Sequence, residues 1–132
     1  MCRRSELCTF KFQDITKDPN GKTIIKLNLS KTDQYGAGKV LPISEKLLQL
    51  IKKWRDVVER DIYILRSINQ HDHIGNNLNP VGISTILKTL QEELKLGSNK
   101  QPLSGQSFRI GAALDLLDKG ERFERIMLRG GW

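Results

Sequence analysis

Through the first third of the chain apolar residues alternate with polar ones; beyond it they recur every third or fourth position. Alternation marks a half-buried strand, and the longer period marks an amphipathic helix. Thr9-Phe10-Lys11-Phe12-Gln13 alternates and predicts a first strand. Asp18-Pro19-Asn20-Gly21 is a concentrated turn signal, because each of these residue types favours chain reversal. From Thr23 to Leu29 the alternation resumes, with Ile25, Leu27 and Leu29 on one face. The polar, glycine-containing stretch Lys31 to Gly38 predicts a hairpin loop, and Lys39 to Ile43 a third strand. A three-stranded antiparallel meander follows from this order.

Helices occupy the remainder. Ser44 is placed to cap a helix, with Glu45 favourable at its positive end. Leu47, Leu48, Ile51, Trp54 and Val58 then follow at helical spacing. Ile62-Tyr63-Ile64-Leu65 reads as a short strand or extended segment, and 67–78 as a loop. Ile83, Ile86, Leu87, Leu90 and Leu94 mark a second helix, stopped by Gly97. A third runs from about Gln106 to Lys119 and ends at Gly120; a short fourth covers Phe123 to Leu128. Residues 3–8 read as the tail of a further helix or its connector. The expected class is α+β, a small three-stranded antiparallel sheet packed on a mostly helical body.

Composition sharpens this only in part. At 132 residues the chain is one domain at most, with enough length for a single apolar core. Its net charge of +7 points to a polyanionic partner, with nucleic acid ahead of an anionic membrane. The excess is concentrated in residues 1–66, with 14 Lys/Arg against 8 Asp/Glu; residues 67–132 hold 8 against 7. Cys2 and Cys8 suggest no disulfide framework, which favours a reducing compartment. No run approaches the about 20 apolar residues of a membrane span, and no signal-peptide core is visible. A cytoplasmic protein with no membrane association is expected.

Two arginines stand in distinctive settings. Arg3 precedes Ser5-Glu6-Leu7, and Arg109 closes Gln106-Ser107-Phe108-Arg109. Gln106 and Arg109, three apart on a helix, face the same way. Arginine suits phosphoryl chemistry because its planar fork stays ionised and grips two oxygens at once. Each residue also has a plain reading. Arg3 alone can be a solvated charge, Arg109 can snorkel from an amphipathic helix, and Trp132 can simply anchor the core. His71-Asp72-His73 lacks a third ligand for a metal.

Order and spacing favour the sharper reading. The Arg3-Arg4-Ser5-Glu6-Leu7 box, the meander with its hairpin lysine Lys31, the run Ser104 to Ala113 and the closing Gly130-Gly131-Trp132 resemble the tyrosine recombinases. This is the phage-integrase family, and the resemblance is to a Cre-like catalytic domain. It implies that Arg3, Gln106, Arg109 and Trp132 embrace a scissile DNA phosphate. Lys31 would act as general acid for the departing 5′ oxygen, with Lys39 its competitor, and Glu6 would orient an arginine. It further implies double-stranded DNA and other recombinase protomers as partners, a tetrameric synapse in the full-length protein, and neither metal nor cofactor.

Two departures stand out. Gln106 replaces the family's histidine, so that position can donate a hydrogen bond but cannot carry charge. The family's nucleophilic tyrosine falls beyond the Gly-Gly-Trp position, and neither Tyr35 nor Tyr63 matches its place. Residues 1–132 are therefore expected to be a partial catalytic domain, lacking the amino-terminal core-binding domain and the carboxyl-terminal tyrosine segment, and inactive alone. The competing expectations are a non-catalytic DNA-binding remnant or regulator and, further off, a type IB topoisomerase.

Overall fold

In the computed structural model, which describes residues 2–27, 38–58, 62–96 and 101–132, the turn at Asp18 is closed by its own side chain. Asp18 Oδ1 accepts from the amides of Asn20 and Lys22 at 2.9 and 2.8 Å. That turn joins β1 (Ile15–Lys17) to β2 (Thr23–Leu27), and β3 (Lys39–Pro42) completes an antiparallel sheet in the order β1-β2-β3. Ile15 pairs with Ile25, which pairs with Leu41 on the other side. Ile25 and Leu27 are buried on one face of the central strand, and Ile24 on the other, while Lys26 is exposed. The expected meander is present. Leu29, Lys31 and Tyr35 lie outside the described residues.

The first strand is not where alternation placed it. Phe10 and Phe12 are buried as that pattern requires, but they face a different partner. Phe12 N–H donates to Ile62 O, Ile64 N–H donates to Phe10 O, both at 3.0 Å, and Lys11 bridges Tyr63. The segment thus pairs with the extended stretch around Tyr63 rather than with β2. Asp14 then ends the alternation by accepting from the Lys11 amide at 2.8 Å, which folds Phe12–Asp14 into a 3-10 turn. Only after it does β1 begin.

The helices are α1 (Arg4–Leu7), α2 (Glu45–Val57), α3 (Pro80–Glu93), α4 (Gly105–Asp118) and α5 (Phe123–Gly130). With the sheet they make an α+β fold. Ser44 caps α2 by accepting from Leu47 N–H, supplying one of the partners a helix start lacks. The α2 indole of Trp54 donates to Ile64 O at 2.7 Å. α3 starts earlier than its apolar stripe suggested. Asn79 Oδ1 accepts from Gly82 N–H at 2.8 Å, and Pro80 occupies the first helical position, where its missing N–H costs nothing. α3 also ends before Gly97, which lies outside the described residues. Lys95 takes the left-handed conformation instead (φ 49°), and Leu96 N–H closes back on Gln91 O.

By their contacts the residues divide into two compact units. One is Glu6–Leu78; the other is Asn79–Trp132 together with Met1–Ser5. The first holds the sheet, α2 and a core of Cys8, Phe10, Phe12, Ile24, Ile25, Leu27, Val58 and Ile64. The second holds α3, α4 and α5, with α4 packed against α5 and Ile126 the most deeply buried side chain. Among the described residues no helix is long and apolar enough to cross a membrane.

Candidate functional site

The second unit gathers the unusual arginines at the carboxyl end of α5. That end is built by glycine. Gly131 adopts a left-handed conformation (φ 66°), so its N–H and that of Trp132 both turn back to Met127 O, at 2.9 and 3.2 Å. A residue with a Cβ would meet a cost of about 1 kcal/mol or more in that conformation. The closure leaves the Gly130 and Gly131 carbonyls pointing off the helix end, where the helix dipole makes them partly negative.

Both arginines answer them. Arg109 Nη2 donates to Gly130 O at 2.5 Å, and Arg3 Nη2 donates to Gly131 O at 3.0 Å. The two guanidinium groups, 106 residues apart in sequence by their numbers, thus bind neighbouring carbonyls. The Trp132 ring covers Arg109, with Cζ 4.8 Å from the ring centroid, a cation–π arrangement. The same ring fills the space a Cβ on Gly130 would need. Gln106 Oε1 makes a long contact of 3.5 Å with Arg109 Nη1, as the three-residue spacing requires.

α4 is well placed to hold these groups. Ser104 and Ser107 form a reciprocal cap, each side chain accepting from the other's amide, which fixes the helix start directly before Gln106. Arg109 is only 8% exposed, yet its Nε has no hydrogen-bond partner, and no ion pair reaches it among the described residues. A buried donor of this kind carries a desolvation cost of about 1–3 kcal/mol until an acceptor reaches it.

The fold is shared with a solved recombinase. Among the solved structures that match is the crystal structure of XerA recombinase, at a TM-score of 0.70 and 16% sequence identity. The match covers 97% of this chain and 43% of that one, so this chain spans less than half of that recombinase's length. No family model and no curated protein matches the sequence.

Within this fold the structure brings together Arg3, Gln106, Arg109 and Trp132. Lys31 lies outside the described residues. Glu6 is buried and belongs to the other unit, where its carbonyl accepts from Thr9 N–H and Oγ1 at 3.1 and 2.8 Å. Tyr63 is also in that unit, beneath the Lys11 ammonium at 5.4 Å. Burial pushes the Cys8 thiol pKa up, which disfavours a reactive thiolate. Among the described residues no three His, Cys, Asp or Glu side chains cluster as metal ligands would.

Two participants escaped the sequence. One is the pair of Gly130 and Gly131 carbonyls, since a backbone acceptor leaves no trace in residue identity. The other is Arg4, whose Nη1 donates to Ser84 Oγ. The only signal for it was its adjacency to Arg3.

Proposed function

We propose that this chain is part of the catalytic domain of a tyrosine-type site-specific DNA recombinase or integrase. Arg3 and Arg109 neutralise the scissile phosphate, Gln106 donates to it, and Trp132 lines it. The observation that carries this reading is the buried Arg109 fork, with an unpartnered Nε and a second guanidinium held at the adjacent carbonyl. In-line attack at phosphorus spreads negative charge over the nonbridging oxygens, so preplaced cations and donors do most of the catalytic work.

In the whole protein a tyrosine hydroxyl gives up its proton to solvent water, its oxygen bonds to phosphorus and the P–O5′ bond breaks. The departing 5′ oxygen takes a proton from Lys31, leaving a 3′-phosphotyrosine that another 5′-hydroxyl reverses. Neither Tyr35 nor Tyr63 is assigned the nucleophile's part, so these 132 residues by themselves form no covalent adduct with DNA. Glu6 is assigned an orienting part, and partner protomers on DNA complete the assembly. The resemblance calls for no metal or cofactor in this chemistry.

Duplex DNA is the substrate, and the lysines of the sheet unit, among them the exposed Lys17, Lys22 and Lys26, add phosphate contacts. Binding followed by fluorescence anisotropy from about 50 to 200 mM salt tests this, because each neutralised phosphate releases counterions. The logarithm of affinity should fall linearly with the logarithm of salt concentration, and Arg3→Ala should reduce that slope by about one. Binding that ignores salt would remove the electrostatic basis of the proposal.

The alternative is a DNA-binding module without chemistry. It is favoured by one observation: Nη2 of Arg3 and Nη2 of Arg109 each donate to a backbone carbonyl at a helix end, as structural helix caps do. The two readings share the phosphate contacts and part at strand cleavage by the whole protein.

A further inference from the structure

Arg4 fills the unspecified position of the Arg-x-Ser-Glu-Leu sequence, and nothing in the phosphate cluster requires an arginine there. Its contacts lie on two helices of its own unit. The guanidinium donates to Ser84 Oγ in the amino-terminal half of α3. The stem lies on Gly105, the first residue of α4, with Arg4 Cγ and Cδ standing where a Cβ at position 105 would be. Gly105 and Arg109 are four residues apart on α4, and so share a face. The Arg4 stem thus lies against α4 at Gly105, one helical turn before Arg109, while its neighbour Arg3 reaches Gly131 O.

We infer that Arg4 is a positioning residue: seated on Gly105 and tied to Ser84, it sets Arg3 beside Arg109. The inference rests on reading those two arginines as phosphate ligands. An external anchor is needed because α1 is a single turn, and so short a helix has little stability of its own. An arginine fits the task, since its stem covers apolar surface while its head seeks a polar partner. Glycine fits at position 105 because any side chain there would displace that stem.

The experiment reads Arg3 placement and DNA binding separately. Placement is followed by the amide resonance of Trp132, whose nitrogen is bonded to the Gly131 carbonyl carbon that Arg3 faces. Arg3→Ala should move that resonance. Arg4→Ala, Gly105→Ala and Ser84→Ala should move it in the same direction with Arg3 still present, and Arg4→Lys should restore much of the native position. With a short fluorescein-labelled duplex, Arg4→Ala should weaken binding about fivefold, the loss of one modest hydrogen bond, and should add nothing in an Arg3→Ala chain. A native Trp132 resonance in both Arg4→Ala and Gly105→Ala would overturn the inference. So would an Arg4→Ala loss of equal size with and without Arg3, because Arg4 would then be an independent DNA contact. If the resonance moves as expected but Arg3→Ala leaves DNA affinity intact, the positioning stands and the phosphate reading fails.

Discussion

Arg109→Ala should weaken binding to duplex DNA about 30-fold at fixed salt, the scale expected for losing two charge-assisted hydrogen bonds. Arg122→Ala should change it less than about twofold, because Arg122 is an exposed arginine already near Glu124 at 3.6 Å, and such surface charges contribute little. The contrast separates a placed guanidinium from net charge, since both substitutions remove one positive charge. Arg109→Lys should recover only part of the loss. A lysine restores the charge as a point but not the planar fork, and it stacks less well beneath Trp132. Anisotropy titrations on variants with native far-ultraviolet circular dichroism provide the check. Equal losses for Arg109→Ala and Arg122→Ala would undo the special placement of Arg109.

Ile126→Ala should destabilise the protein by about 3 kcal/mol, the usual cost of truncating a fully buried aliphatic side chain. Ile126 is 2% exposed, on the helix whose end presents the Gly130 and Gly131 carbonyls. Leu128, two residues on and 79% exposed, supplies the control: Leu128→Ala should stay within about 0.5 kcal/mol of the parent. Urea unfolding measures both. Ile126→Ala should also lower DNA affinity under native conditions, because α5 would no longer hold its end steadily against α4. A silent Ile126→Ala would mean that α5 is not fastened by its buried face.

Much of this architecture was legible before any coordinates, and where it was not the reasons are local. The meander could be read because Asp18 and Gly21 punctuate the chain and because Ile25 and Leu27 must share a face. The α2 stripe could be read from Ser44 onward for the same kind of reason. Phe10 and Phe12 misled in one respect only: alternation reveals that a segment is half-buried and extended, but not which segment it pairs with. Here the partner was Ile62 to Ile64, some fifty positions away. The apolar stripe of α3 left its start unassigned, because the stripe begins only at Ile83, although Asn79-Pro80 carried the cap. Its stripe ends at Leu94, which is the C-cap of α3, and Lys95 then takes a conformation usually left to glycine.

The candidate site divides along the same line. Gln106 and Arg109 had to be neighbours once they shared a helix, and the 3.5 Å contact agrees. The approach of Arg3 to that helix depends on tertiary packing and entered only through the family resemblance. The carbonyls that receive both arginines, and the seat of Arg4 on Gly105, depend on backbone geometry. Residue identity alone does not encode either.

A double-mutant cycle on duplex affinity asks most directly whether Arg3 and Arg109 serve one phosphate. Arg3→Ala, Arg109→Ala and the double variant are titrated against the same labelled duplex at one salt concentration. If both guanidinium groups grip a single anion, the losses should fall short of additivity by more than about 0.5 kcal/mol. Losses that simply add would mean that two separate contacts have been mistaken for one site.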